Sequence, residues 1–505
     1  MKFNFLRKSD NTLANYEGAE AYTMTPAEEL YSAVVTTGLS TTTYEKGNER
    51  LARIQTLIQK NDPEFVARLA VYARKEMHLR SVPLVLTTEL AKQASGTDLV
   101  SRTVDGVIQR ADEITELLAY YQMANERTDL KKLNRLSKQI QKGLVKAFNK
   151  FDEYQFAKYN RKAEVTLKDA LFLVHPKAKD DNQQAIFNKI VNDSLETPYT
   201  WEVELSVLGQ TKFTGDAERK AAFRAKWEEL IFSNKLGYMA TLRNLRNILE
   251  AGVSPQAMEK VCRYLADEKA VRNSKQLPFR FLAAYRELKT NQSPYLSSVL
   301  ETLEDAVMVS AENIKGFGFD TSVVIAADVS GSMQQPVSPK SKVLLYDIGL
   351  LMSMMMQSQC KNVITGMFGD TWKRVPMPKN GILRNVDAFY KREGEVGYST
   401  NGYLVIEDLL NRREKVNKVM LFTDTQLWNS NGTRNSFENS WNRYKRFNPE
   451  AKLYIFDLAG YGKQPLDVRK NDVYLIAGWS DKIFDVLNAL EDRKSAVEMI
   501  KKRVL

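Results

Sequence analysis

The hydrophobic and polar residues follow one period over roughly the first three fifths of the chain and another period over the rest. From about residue 26 to 310, apolar residues recur at spacings of three and four, in segments separated by short polar breaks. In one segment, "DPEFVARLAVYARKEM", Asp62 stands where a helix cap is expected and Pro63 lies in the first turn. This pattern predicts a region that is helical almost throughout.

No fixed sequence repeat accompanies these helices. A long succession of helix pairs is typical of an irregular α-solenoid of the HEAT type, in which each pair buries its apolar face on the next. A compact helical bundle would give the same periodicity and remains the alternative. We expect the solenoid.

After Lys315 the period changes, and short apolar runs alternate with helical stretches near residues 341–358, 402–413 and 481–491. The runs are "TSVVIAAD", "NVITGMFG", "NKVMLFTD", "AKLYIFDL" and "DVYLIAG". Continuous apolar strands separated by helices predict a doubly wound, mostly parallel sheet covered on both faces. The glycines of "NIKGFGFD" interrupt both patterns, which predicts a helical domain over residues 1–315 and an α/β domain over residues 316–505.

The first of these strands ends in a group of oxygen-bearing side chains, Asp328, Ser330 and Ser332, at every second position. In an extended segment such residues can direct their oxygens to one point, at the edge of the sheet where ligands bind. Asp424 follows another strand, and Thr400 lies in a glycine-flanked loop. A set of carboxylates and hydroxyls suits Mg²⁺ or Mn²⁺ and is poor for zinc. A simple turn is the alternative, because Asp, Ser and Gly are common turn formers.

The segment "LKKLNRLSKQIQKGLVKAFNKF" contains seven basic residues and no acidic residue between Lys131 and Lys150. Five of its basic residues fall within about 80° on a helix, opposite an apolar side. They are Lys131, Arg135, Lys138, Lys142 and Lys146. The pattern predicts an amphipathic helix whose basic ridge contacts phosphates. A merely solvated face or a membrane-surface helix would give a similar pattern.

The composition of the 505-residue chain is that of a soluble protein with more than one core. No uncharged run of 18 apolar residues occurs, and no signal-type segment opens the chain, so we expect a cytoplasmic protein that does not bind membranes. Two cysteines and two histidines exclude a disulfide framework and a histidine-rich metal cluster. The net charge of +11 suggests an anionic partner.

The D-x-S-x-S motif, the later threonine and "FTD" together resemble the metal-ion-dependent adhesion site of von Willebrand factor type A domains. This resemblance implies that Asp328, Ser330, Ser332, Thr400 and Asp424 are metal ligands, and that a partner's carboxylate completes the coordination shell. The family threonine usually follows a G-G or G-x pair, whereas the sequence here is "GYST". Ser399 is therefore a possible substitute for Thr400.

A second resemblance covers the helical half. "KYNRK" followed by "LKDALFLVHPK", with further matches in "KWEELI", "MATLRNLRNI" and "LPFRFLAAYREL", is similar to the TROVE domain of the Ro autoantigen family. The resemblance implies a ring of HEAT-like helices closed by the metal-binding domain. It also implies that Lys158, Lys162 and His175 contact RNA, and Glu164 departs from the neutral residue found in relatives. Lys158 and Lys162 are four residues apart, which predicts a shared helical face.

The two resemblances imply a ribonucleoprotein component that binds small noncoding Y-like RNA and the single-stranded 3′ ends of misfolded RNA. It would act in RNA quality control, with an exoribonuclease such as polynucleotide phosphorylase as a possible partner. We expect a monomer that binds no DNA. We also expect that the protein is not an enzyme, because no strong nucleophile and base signature or phosphate-binding loop occurs. The alternative is a protein-interaction scaffold whose metal site grips an acidic partner without RNA.

Overall fold

In a computed structural model, the structure describes residues 12–37, 39, 42–126, 136–312, 314, 317–337, 341–428, 436–468, 470–491 and 495–505. These residues form two compact units. The sheet unit consists of the described residues up to Leu57, together with Leu277–Ala283 and Val307–Met499. The helical unit consists of the described residues in Ile58–Gln276, Ala284–Ala306 and Ile500–Leu505.

The N-terminal elements belong mainly to the sheet unit. They are β1 (Thr12–Ala14), β2 (Glu20–Thr23), α1 (Pro26–Val35) and α2 (Gly47–Gln59). Strands β1 and β2 form an antiparallel hairpin, and β2 also pairs with Lys463 and Gln464 near the other end of the chain. The sheet unit therefore includes a segment that the sequence-based division at residue 315 assigned to the helical domain. The pairing joins strands of two to four residues that lie far apart in sequence, and periodicity carries no signal for it.

The helical region contains sixteen α-helices among the described residues. They are α3 (Pro63–Lys75), α4 (Ser81–Gln93), α5 (Leu99–Val107), α6 (Asp112–Ala124), α7 (Lys138–Phe148), α8 (Glu153–Tyr159), α9 (Leu167–Val174), α10 (Asp181–Val191), α11 (Trp201–Gln210), α12 (Asp216–Phe232), α13 (Tyr238–Arg243), α14 (Leu245–Glu250), α15 (Pro255–Ala266), α16 (Glu268–Ser274), α17 (Phe279–Leu288) and α18 (Leu296–Ala311). Helix α3 packs on α4 and α5, α4 on α6, and α5 on α7. These helices are thus buried by helices close to them in sequence, as the solenoid interpretation predicted.

Local sequence explains where these helices begin. The Asp62 side chain accepts a hydrogen bond from the Phe65 amide at 3.3 Å, and Pro63 occupies the first turn, as predicted. Asp152 caps α8 in the same way, with Gln155 bonding back to the Asp152 amide. Close packing decides other positions: a Cβ on Gly143 of α7 would lie 2.5 Å from the Val104 Cβ of α5.

A six-stranded sheet is the centre of the sheet unit. The remaining strands are β3 (Ser322–Asp328), β4 (Asn362–Phe368), β5 (Trp372–Arg374), β6 (Lys418–Thr423), β7 (Lys452–Asp457), β8 (Lys463–Gln464) and β9 (Val473–Ala477). The order across the main sheet is β5-β4-β3-β6-β7-β9, and every neighbouring pair is parallel except β4 with β5. The five predicted strands and their parallel arrangement are confirmed. The short antiparallel strand β5 was not predicted.

Six α-helices among the described residues accompany this sheet. They are α19 (Leu345–Gln359), α20 (Ile382–Tyr390), α21 (Tyr403–Asn411), α22 (Phe437–Phe447), α23 (Ile483–Glu491) and α24 (Ala496–Lys501). Helix α19 is buried from Leu345 to Gln357, including its run of methionines. A core cluster that includes Val324 of β3 and Val419 of β6 also includes Trp441 of α22, which is fully buried. Helices therefore cover the apolar strands, as a parallel sheet requires.

A buried ionic network fixes the N-terminal segment within the sheet unit. Arg50 is 1% exposed and forms an ion pair with Glu45, which also pairs with Arg53 at 2.7 Å. The Arg50 guanidinium donates to the Ala459 carbonyl at 2.6 Å, and that of Arg53 donates to the Gly460 carbonyl at 2.7 Å. These bonds pair a buried and a partly buried arginine of α2 with backbone groups that follow β7.

Candidate functional site

The predicted metal ligands lie where the direction of the sheet connections reverses. The chain passes from β3 to β4 on one side and returns to β6 on the other, so β3 and β6 are neighbours with a switch point between them. Asp328 is the last residue of β3, and Asp424 directly follows β6. The carboxyl ends of two such strands form the crevice in which open α/β sheets bind their ligands.

The D-x-S-x-S segment is buried and internally bonded. Asp328 and Ser330 are each 1% exposed, and the Ser330 amide donates to Asp328 Oδ1 at 2.9 Å. The hydroxyl oxygens of Ser330 and Ser332 lie 3.2 Å apart. Thr423, at the end of β6, donates its hydroxyl to Asp328 Oδ2 at 2.6 Å. The segment thus brings one carboxylate and two hydroxyls together, held by the neighbouring strand.

The second carboxylate, Asp424, is fully buried and only partly satisfied. Its Oδ1 accepts the Gln426 amide at 3.0 Å, whereas its Oδ2 has no hydrogen-bond partner among the described residues. Burial raises the pKa of Asp424, and the negative charge of Asp328 raises it further, against a hydrogen bond from Ser332. Burial also raises the pKa of Asp328. Two buried carboxylates that resist ionisation side by side are the arrangement that a bound cation stabilises.

The loop that contains Thr400 is bonded to both of these segments. The Tyr398 carbonyl accepts the Gly331 amide at 3.1 Å, and the Thr400 carbonyl accepts the Trp428 amide at 3.0 Å. Thr400 is 5% exposed, and the four other predicted ligands are buried as well. Ser399 is only partly buried, and its amide donates to the carboxylate of Asp370. Burial therefore favours Thr400 over Ser399 as the loop ligand.

The donor set fits a hard divalent cation. It combines two carboxylates with hydroxyl groups, and one carboxylate oxygen is buried without a partner. Within the described ranges, no group of three or more His, Cys, Asp and Glu side chains could hold a metal ion, so a site at this position depends on the hydroxyls. Oxygen donors of this kind suit Mg²⁺ or Mn²⁺.

The N-terminal segment borders the candidate metal site. This contact was not predicted from the sequence. The Thr43 amide donates to the Gln335 side chain at 2.6 Å, and the Thr43 hydroxyl lies 3.5 Å from the Ser332 carbonyl. On the other side, the Tyr16 amide donates to the side chain of Gln426 at 2.9 Å. The residues involved are separated by roughly 300 to 400 positions, so no local pattern could have indicated these contacts.

The predicted basic helix is confirmed as amphipathic from Lys138 to Phe148. Its predicted start was wrong, because Ser137 caps the helix with a non-helical ψ of 127° and the helix does not continue before Lys138. In α7, Lys138, Lys142 and Lys146 are exposed, while Ile140 and Leu144 on the opposite side are fully buried. Lys131 and Arg135 lie outside the described residues. Among the side-chain hydrogen bonds and ion pairs of the described chain, none is formed by these three lysines. They present three positive charges to solvent.

The other predicted RNA contacts are exposed but do not share a helix. Helix α8 ends at Tyr159, because Asn160 leaves the helical conformation with ψ of 102°. Lys158 is therefore helical and Lys162 is not, and the predicted common helical face was wrong. His175 is the C-terminal cap of α9, with a left-handed φ of 47°, which agrees with its predicted place at a helix end. Lys158, Lys162, His175 and Glu164 are all exposed.

No helix among the described residues combines the length and the apolar composition needed to cross a membrane. The chain was also compared with known proteins. The family model of the TROVE domain matches residues 23–200 and 194–304, which is more than half of the chain. Telomerase protein component 1 of Rattus norvegicus is 25% identical over 333 aligned residues, and its Mus musculus counterpart is 26% identical. Each alignment covers 49% of this chain but only 12% of the relative.

Among solved structures, the crystal structure of the Deinococcus radiodurans RO (RSR) protein is similar, with a TM-score of 0.59 and 17% sequence identity. The similarity covers 91% of this chain and 97% of that protein. At this level of identity the match demonstrates a shared fold. It extends over both the helical region and the parallel sheet.

Proposed function

The chain belongs to the TROVE-domain family, and from this premise we propose that it is an RNA-binding component of a ribonucleoprotein. We propose further that it binds small noncoding, Y-like RNA and the single-stranded 3′ ends of misfolded structured RNA. In this role it would act in RNA quality control, either alone or with an exoribonuclease. The binding is proposed to occur without catalysis.

The exposed basic face of α7 is the observation that supports this proposal most directly. Lys138, Lys142 and Lys146 lie on one side of a helix whose opposite side is buried, so their positions are fixed by the core. Ammonium groups held in a row contact successive phosphates and release counterions when they do so. Lys158 adds a positive charge that is exposed and lies over the rings of Tyr154 and Tyr159, at 5.6 and 5.8 Å.

A salt series tests the proposal. A structured small RNA with a single-stranded 3′ tail is titrated with wild type and with Lys138→Gln/Lys142→Gln/Lys146→Gln. Each lost phosphate contact lowers the slope of log affinity against log salt by about 0.7 for a single strand, so the slope should fall by about 2. Wild-type binding that does not change with salt would reject the proposal.

Three other exposed lysines of the helical unit provide a matched control, Lys212→Gln/Lys220→Gln/Lys269→Gln. This variant loses the same charge at a different place, so it should keep most of the wild-type slope. An equal reduction in both variants would show that net charge, and not the α7 face, determines the affinity. Lys158→Gln/Lys162→Gln and His175→Ala then test the remaining predicted contacts in the same assay.

We also propose that the sheet unit binds one divalent cation, Mg²⁺ in preference to Mn²⁺. Asp328, Ser330, Ser332, Thr400 and Asp424 would hold it. A cation bound there would supply a coordination position that an external oxygen ligand can take. Titration of the metal-free protein with Mn²⁺, followed by electron paramagnetic resonance, should show one site in wild type and none in Asp424→Ala.

A protein-interaction scaffold is the second candidate function. The buried and unpartnered Asp424 Oδ2 favours it, because a metal held there could grip a carboxylate of an acidic protein partner without any RNA. Capture of such a partner that is lost on chelation, together with no RNA binding by wild type, would support this candidate. Robust RNA cleavage that is lost in Asp424→Ala would contradict both functions, since each is a binding function.

A further inference from the structure

Exposed aromatic side chains are concentrated around the candidate metal site. Five large apolar side chains of the sheet unit are exposed among the described residues, and three of them flank the metal ligands. The three are Tyr16, Tyr398 and Trp428, with 46%, 52% and 45% of their surface exposed. Rings of this size are normally buried, and an exposed group of them marks a binding surface.

Hydrogen bonds of their backbone groups attach these three residues to the metal-ligand segments. Tyr398 accepts the amide of Gly331, which lies between Ser330 and Ser332. Trp428 donates its amide to the carbonyl of Thr400. The three aromatic residues therefore have backbone positions fixed relative to the site, with Tyr16 bonded through the Gln426 side chain. We call Tyr16, Tyr398 and Trp428 the aromatic rim.

One member of the aromatic rim is held by other rings and carries a cation. Tyr16 is stacked on Tyr44 with ring centres 5.3 Å apart, and both rings meet the edge of Tyr461. The Lys463 ammonium lies 5.1 Å from the centre of the Tyr16 ring and donates to the Ala14 carbonyl at 2.7 Å. The Tyr16 ring is thus oriented by its neighbours, with a positive charge beside it.

Resting on the proposed function, we propose that the aromatic rim and the candidate metal site together bind a segment of single-stranded RNA. Bases stack on the rim, and a phosphate oxygen takes the external coordination position of the metal. The choice of RNA follows from the chemistry of the surface. Exposed aromatic faces next to a cation accept any base, and Mg²⁺ sites made of carboxylates commonly take phosphate oxygens.

The carboxylates of Glu17 and Asp370, which border this surface, each accept a hydrogen bond. The Tyr44 hydroxyl donates to the carboxylate of Glu17, and the Ser399 amide donates to that of Asp370 at 3.0 Å. An acidic peptide would leave the ring faces without a specific role. A short RNA places one phosphate at the metal and its apolar base faces on the rings.

Photo-crosslinking tests the inference. A ten-nucleotide uridine RNA that contains 4-thiouridine and forms no structure of its own is bound to the full chain and irradiated. Peptides that carry the cross-link are then identified by mass spectrometry. With Mg²⁺, cross-links are expected in the peptides that contain Tyr398 or Trp428, and these cross-links should disappear when the metal is chelated.

Affinity for the same RNA provides the second measurement. Stacking contributes about 1–3 kcal/mol per base, so the loss of two stacking rings in Tyr398→Ala/Trp428→Ala should weaken binding by about 30-fold or more. The other two exposed aromatic residues of the sheet unit give the matched control, Phe319→Ala/Tyr390→Ala, which should bind like wild type. Thermal unfolding of both variants confirms that each is folded before its affinity is compared.

The results separate this inference from the proposed function. Cross-links confined to residues 136–177, with unchanged affinity of the rim variant, would overturn the inference and leave RNA binding by the helical unit intact. Absence of binding to every RNA tested would overturn both. In a third outcome, RNA displaces nothing from this surface, whereas a glutamate-rich peptide binds tightly in a metal-dependent way and the rim variant loses this binding. That outcome would show a protein partner at this surface and would also overturn the inference.

Discussion

Replacement of Arg50 by alanine should destabilise the sheet unit far more than replacement of an exposed arginine. Arg50 is 1% exposed, and its substitution leaves the buried carboxylate of Glu45 with one cationic partner instead of two. It also removes the donor to the Ala459 carbonyl. Loss of one partner of a buried pair costs about 3–5 kcal/mol of unfolding free energy. Because the contact of Arg53 with Glu45 remains, we expect a loss of about 3 kcal/mol.

Calorimetric unfolding measures this loss. For a unit of this size each kcal/mol lowers the melting temperature by about 2–4 °C, so the transition of the sheet unit should fall by about 6–12 °C. Arg412→Ala is the control in the same unit, because Arg412 is 60% exposed and its ion pair with Asp408 is open to solvent. A decrease in Arg50→Ala no larger than in this control would refute the role given to the buried network.

The same pair predicts a dependence on pH. Burial alone would raise the pKa of Glu45, but Arg53 and Arg50 outweigh it, so the pKa lies below its ordinary value. A carboxylate of lowered pKa stabilises the folded state at pH values above its unfolded pKa, near about 4, and this contribution is lost as the pH falls through the folded pKa. The stability difference between wild type and Arg50→Ala should therefore shrink below about pH 4. A difference that stays constant through this range would contradict the electrostatic explanation.

Three further predictions concern packing, the loop ligand and thiol chemistry. Gly143→Val should destabilise the helical unit by about 1–3 kcal/mol in chemical denaturation, because its Cβ would meet a valine of α5, whereas Gly209→Ala in open space on α11 should be neutral or stabilising by up to about 1 kcal/mol. Thr400→Ala should weaken Mn²⁺ binding strongly and Ser399→Ala little, and the reverse result would assign the loop ligand to the serine. Burial raises the pKa of the Cys360 thiol to about 12, so iodoacetamide at pH 8 should modify the other cysteine first and reach this one only on unfolding.

The elements that could be predicted from sequence are those whose pattern is local and long. The five parallel strands are continuous apolar runs, and their burial in the sheet follows directly from that pattern. Strand β5 has three residues and the N-terminal strands have three and four, which is too short for an alternation to be recognised. The predicted helical face of Lys158 and Lys162 was wrong because the chain leaves the helix at Asn160. An asparagine after a helix with a lysine in its last turn is a stop signal, and the prediction did not take it into account.

The candidate site was predictable to the same extent. The positions of Asp328 and Asp424 at strand ends, and of Thr400 in a loop near them, follow from strand order and spacing alone. The metal and RNA roles of these and the other predicted residues remain predictions. The surroundings of the site could not be inferred, because Tyr16 and Thr43 reach it from the opposite end of the chain. Such contacts depend on tertiary folding, and the periodicity of a single segment carries no information about them.

The pairing of β2 with β8 also affects the order in which parts of the protein can fold during synthesis. Residues near Thr23 leave the ribosome before their partners Lys463 and Gln464, which are synthesised about 440 residues later. At about 5–20 residues per second, this interval is roughly 20–90 s. The helical unit can fold during that time, because its helices pack on neighbours in sequence. The hairpin of β1 and β2 cannot pair with β8 until Lys463 and Gln464 have been synthesised.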